Sequence, residues 1–132
     1  MKSFVRSVFA VLFGLAVMCL LGVVLYKGMV RAMDLTPHPS LGYLAVRMVL
    51  TFLAVGIGGF ATAFAAKSRP IEHAAALGAI VFVASAIHYY HFAGNLPPWY
   101  QAIMRLAPPF CVLKGGSFYH RKSPAPTPHP GD

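Results

Sequence analysis

Apolar residues along this chain come in four long runs, separated by short polar or proline-rich punctuation, with no two-residue alternation. The first run covers residues 8–30, follows Lys2 and Arg6, and is broken near its end by Lys27. Residues 34–42 hold Pro37, Pro39 and Gly42 and read as a loop. The second run covers residues 43–66, with Arg47 near its start. A basic turn carrying Lys67 and Arg69 leads to Pro70, a residue suited to the first turn of a helix. The third run covers residues 71–93 and ends at a turn containing Gly94, Asn95, Pro97 and Pro98. The fourth covers residues 98–115, contains Arg105, Pro108 and Pro109, and closes at Gly115 and Gly116.

A membrane-spanning helix needs about 20 apolar residues. The first three runs meet that length, and the fourth is short and interrupted by prolines. The expected fold is an all-α membrane protein: an up-and-down bundle of four transmembrane helices in residues 1–118. Residues 119–132 read as a disordered, proline-rich tail. A transmembrane β-barrel is excluded, because such strands are short and alternate. Residues 8–26 are uncharged, which is longer than the usual apolar core of a secretory signal, so the first run reads as an uncleaved helix.

Composition strengthens this picture. Hydrophobic residues make up 58% of the chain and charged residues 11%, against about 25% charged in ordinary soluble domains. So short a chain has too much surface to hide that much apolar side chain from water. The net charge of +8 is scattered between the runs and forms no basic stripe, so nucleic acid is not an expected partner. The lipid bilayer is.

The cations also orient the bundle, because Lys and Arg collect on the cytoplasmic side. With the amino terminus inside, the inner segments carry Lys2, Arg6, Lys67, Arg69, Lys114, Arg121 and Lys122, and the outer loop carries Lys27 and Arg31. Counting Arg47 and Arg105 with the outer side leaves the excess inside. Both termini are therefore expected in the cytoplasm, in a multi-pass protein of a bacterial inner membrane.

Ionisable groups within spans are functional candidates, because inserting them costs about 2.5–3.5 kcal/mol. Arg47, His88, His91, Gln101 and Arg105 all fall toward the outer ends of their runs and are candidate ligand-binding residues for an anionic head or a carboxylate. Asp34 in the outer loop is a candidate counter-ion. The competing reading makes these groups part of an interfacial belt with Tyr89, Tyr90, Trp99 and Tyr100, the arginines reaching out to the headgroups.

Small residues supply candidate helix contacts. Ala54, Gly58, Gly59 and Ala63 in the second run, and Ala74 and Gly78 in the third, have small-xxx-small spacing, which lets backbones approach closely. The second and third spans are expected to pack on each other, and a homodimer through the same faces is a further possibility. Cys19 and Cys111 have neither disulfide-framework nor zinc spacing. Histidines occur within only one run, which leaves haem without facing ligands, and no catalytic or metal constellation is present. No cofactor is expected.

From about Leu53 to Gly116 the chain resembles a broad group of small bacterial four-helix membrane proteins of unassigned function. The resemblance rests on the alanine- and glycine-rich stretch 58–66, the basic turn at Lys67 and Arg69, the run from His73 to Gly78, the Leu96–Tyr100 proline–aromatic turn, and the closing Gly115-Gly116. His88 to His91 departs from the mostly aliphatic pattern of that group. The resemblance implies a four-helix bundle in a bacterial inner membrane and no particular activity. The leading expectation is thus a non-enzymatic accessory or interaction subunit, partnered by lipid and other membrane subunits. The alternative is a small transporter or anionic-headgroup-binding protein using the outer Arg/His cluster.

Overall fold

A computed structural model describes residues 2–33, 40–66, 69–92 and 96–122. Asp34, Lys67 and residues 123–132 lie outside the described residues, so the readings made on them do too; residues 119–122, expected to open the disordered tail, are instead the last turn of the fourth helix. Four α-helices account for almost all of the described chain: α1 (Lys2–Met33), α2 (Leu41–Ala66), α3 (Pro70–Phe92) and α4 (Pro98–Lys122).

Local chemistry sets the helix starts. Ser40 caps α2: its Oγ accepts the Tyr43 amide at 3.3 Å and its carbonyl accepts the Leu44 amide at 3.1 Å, satisfying donors that a helix start leaves open. Pro70 opens α3 where a missing N–H costs nothing. The residue before it, Arg69, holds a left-handed φ of 49°, and its carbonyl accepts the amides of Glu72 at 3.2 Å and His73 at 3.4 Å. At the start of α4 the Gln101 side chain reaches back to donate to the Leu96 carbonyl at 2.8 Å. Gln101 thus takes part in a helix cap.

α1, α2 and α3 are each long and apolar enough to cross a membrane. Only 11% of the most apolar stretch of α1 is buried inside the bundle, and Phe4, Phe9, Leu20 and Val23 project outward. Such a surface marks the chain as membrane-embedded. α4 is more polar and is not among these candidate spans. It is nevertheless one helix through Pro108 and Pro109, and it runs past residue 115 to Lys122.

The helices form a ring in the order α1, α2, α4, α3. α2 packs closely on α1 and α4, and α4 on α3. α2 and α3 meet less extensively, and α1 and α3 barely touch. Each close seam is built where side chains are missing. A methyl group on Gly59 would overlap the Val112 carbonyl oxygen of α4, and one on Gly115 would overlap the Gly56 carbonyl oxygen of α2. A methyl on Gly58 would lie 2.8 Å from Met18 Cβ of α1, and one on Gly116 would lie 2.5 Å from Ala74 Cβ of α3. The small residues of the second and third spans therefore face α1 and α4 more than each other. The double glycine of α4 lets its backbone sink between α2 and α3, closer than those two approach one another.

Two apolar clusters fill the interior. Met29, Tyr43, Leu44, Tyr89, Tyr100 and Met104 form one at the end remote from the amino terminus. Val55, Ala74, Leu77, Val81 and Val112 form the other, nearer the middle. At the amino-terminal end Tyr119 stands edge-on to Phe60 and Phe64, with ring centres 5.5 and 5.9 Å apart, which ties the last turns of α4 to α2.

Candidate functional site

The site grows from Arg47, in the second turn of α2. Its carbonyl accepts the Thr51 hydroxyl at 2.8 Å. Its guanidinium lies 5.7 Å from the centre of the Tyr26 ring of α1, within range of a cation–π attraction. Tyr43, Tyr89 and Tyr100 belong to the apolar cluster at the same end of the bundle. The Tyr100 hydroxyl oxygen is buried and makes no hydrogen bond among the described residues.

Beside Arg47 lies a cavity of about 330 Å³ to which all four helices contribute. Leu15 and Met18 of α1, Val55 of α2 and Val81 of α3 give it apolar walls, while Arg47, Thr51, Ser85 and His88 supply its polar edge. Among the described residues, none that lines it carries a carboxylate. Arg47 also borders a smaller cavity of about 280 Å³ between α1 and α2, next to Tyr26 and Met29. The guanidinium therefore stands between two hollows.

Of the residues singled out from sequence, the fold brings Arg47 and His88 to one cavity, with Ala54 in its wall. His91 is exposed at the end of α3, its ring edge-on to Tyr90. Gln101 is engaged in the α4 cap. Arg105 is half-buried, and its Nε is buried without a hydrogen bond. Near-contacts between Gly78 and Pro109 and between Gly116 and Ala74 set the antiparallel register of α3 and α4. That register puts Arg105 level with the turn of α3 that ends at Ser85, outside the cavity lining.

A second and larger cleft, about 780 Å³, opens between α1 and α3 at the amino-terminal end. Ser3, Arg6 and Ser7 face Arg69, Glu72 and His73 across it. Arg69 Nη1 lies 3.4 Å from Glu72 Oε2, an exposed pair, and His73 Nδ1 is 2.9 Å from the Arg69 carbonyl, to which it donates in the tautomer that protonates Nδ1. Ile80 lines both this cleft and the 330 Å³ cavity.

From the sequence, Arg6 bears on orientation, Arg69 on orientation and the basic turn, and His73 on the resemblance alone, and nothing singles out Tyr26. Ser3, Arg6 and Ser7 lie three and four residues apart, as do Arg69, Glu72 and His73. This spacing puts the first set on one face of α1 and brings the first turn of α3 back over Arg69, which immediately precedes Pro70, a signal readable in the sequence. Among the described residues no group of three or more His, Cys, Asp or Glu side chains is placed to hold a metal ion. Comparison with protein-family models, curated proteins and solved structures finds no match for this chain.

Proposed function

We propose that this chain binds an amphiphile in the membrane, its anionic head against Arg47 and its apolar tail in the 330 Å³ cavity and the groove beyond. One observation carries the reading: an arginine at the edge of an apolar cavity whose lining, among the described residues, holds no carboxylate. A guanidinium in such surroundings is costly, and a phosphate or carboxylate offers it a charge-assisted, bidentate partner. Thr51, Ser85 and His88 add polar groups at the level of the head. On this reading the Arg47 end of the bundle faces the outer leaflet of a bacterial inner membrane, with both termini in the cytoplasm.

A second reading, an accessory subunit that docks a partner helix on α1, is supported by the small buried share of that helix and by the Phe9–Phe13 ring pair, whose centres are 6.3 Å apart. The two readings separate in native mass spectrometry of the detergent-purified protein. Amphiphile binding predicts a co-purifying anionic lipid that is lost in Arg47→Gln. A lipid retained equally by Arg47→Gln, together with a stable complex containing another membrane subunit, favours the accessory role.

A further inference from the structure

The outer cavity and the amino-terminal cleft are not two isolated hollows. Both open between α1 and α3, the neighbours in the ring that barely touch, and both are lined by Ile80. On α1 the linings run from Ser3 to Gly22, about 28 Å of helix at about 1.5 Å per residue. That is close to the hydrocarbon thickness of a bilayer, about 30 Å. The middle of this groove is apolar: Val8, Val11 and Leu12 face Ala76 across the lower half, and Leu15 and Met18 face Val81 and Ala84 across the upper.

Each end is basic. At the amino-terminal end Arg6, Arg69 and His73 line the cleft, and Lys2 lies beside Arg6 in an adjoining surface hollow. Among the described residues that line it Glu72 is the single carboxylate, and the Arg69 contact at 3.4 Å offsets its charge. Arg6 and Lys2 remain as excess positive charge. Both α1 and α3 begin at this end, so their dipoles add positive potential in the same place.

We infer that the amino-terminal cleft is a second binding site for an anionic glycerophospholipid, drawn from the leaflet on that side, with Arg6 and Arg69 on its phosphate and one acyl chain lying along Ala76 toward Ile80. This site shares the membrane-spanning premise of the proposed function and does not depend on Arg47. Two lipids, one from each leaflet, then meet tail to tail at Ile80 and fill the gap that α1 and α3 leave open. The charge pattern selects an anionic head over a zwitterionic one, and the apolar wall selects a lipid over free phosphate.

The test is native mass spectrometry of the full chain in detergent, titrated separately with phosphatidylglycerol, phosphatidylcholine and inorganic phosphate. The wild-type chain is expected to hold two phosphatidylglycerol molecules. Arg6→Gln/Arg69→Gln is expected to hold one, the other weakened about 30-fold by the loss of two interfacial charges. Ala76→Trp, which blocks the chain path and leaves every charge in place, is expected to lose the same molecule. All variants are compared at matched helical circular dichroism. Retention of both lipids by the double variant and by Ala76→Trp overturns the inference, as does equal binding of phosphatidylcholine or displacement of the lipid by millimolar inorganic phosphate. Arg47→Gln separates the two sites. If it alone loses a lipid, the amino-terminal site falls and the proposed function stands. If it keeps both while the double variant loses one, the reverse holds.

Discussion

Gly59 of α2 lies against the Val112 carbonyl of α4 so closely that a single methyl group at residue 59 would overlap that oxygen. The obstacle is backbone, which cannot rotate aside as a flexible side chain can. The same holds where Gly115 meets the Gly56 carbonyl. Gly59→Ala and Gly115→Ala are therefore each expected to destabilise the bundle by about 1–3 kcal/mol through overpacking. Gly28→Ala meets nothing within 4 Å and is expected to be neutral or slightly stabilising, since alanine favours helix by up to about 1 kcal/mol. Thermal unfolding in detergent, followed by circular dichroism, checks all three, and equal midpoints would remove the close α2–α4 seam.

The α1–α2 seam makes a compensating pair. A methyl on Gly14 would collide with the Thr62 hydroxyl and approach Thr62 Cβ at 2.9 Å, and that hydroxyl is held in place by its bond to the Gly58 carbonyl at 3.0 Å. Gly14→Ala is expected to lower the unfolding midpoint. Adding Thr62→Ala removes the worst overlap and is expected to restore part of the loss. The Gly58 carbonyl, 2.8 Å from the same methyl position, keeps the rescue incomplete. A double variant that melts no higher than Gly14→Ala would contradict the packing.

Arg47 and Tyr26 give an interaction that can be measured as a coupling. With the guanidinium 5.7 Å from the ring centre, a double-mutant cycle of Arg47→Met and Tyr26→Leu is expected to show about 0.5–1 kcal/mol in favour of the pair. The readout is stability in detergent without added lipid. Strict additivity would show that α1 does not hold the guanidinium in place.

Integration into a membrane has a direct test. With three helices long and apolar enough to cross, the protein is expected to stay with the membrane pellet through alkaline carbonate and to need detergent for release. The proposed orientation, in which α4 crosses as a fourth span, puts reporter fusions at the two ends on the same side. Opposite sides would mean that α4 does not cross.

The helices were legible because lipid offers backbone groups no water, so an apolar run must satisfy its own hydrogen bonds as a helix. The runs at 43–66 and 71–93 fall within two residues of α2 and α3. The end of α4 was not legible. Gly115-Gly116 reads locally as a terminator, yet the helix continues to Lys122, because those glycines let it approach α2 and Tyr119 packs its ring between Phe60 and Phe64. In the candidate site, Arg47 and His88 were readable as polar residues in apolar runs. The partnership of Arg47 with Tyr26 was not, since it depends on which helix α1 leans against.

Taken alone, the sequence determined the helical class, the three apolar spans and the positions of the charges near their ends. Each of these follows from local hydropathy and from the need of a backbone in lipid to bond to itself. Tertiary structure decided which helices are neighbours. Gly58 and Gly59 are adjacent in the chain but about 100° apart around the helix, so one meets α1 and the other α4. Spacing shows that α2 has several smooth faces and says nothing of which partner each receives. That choice is made by the fit of whole surfaces, and it leaves α1 and α3 apart, with the groove between them.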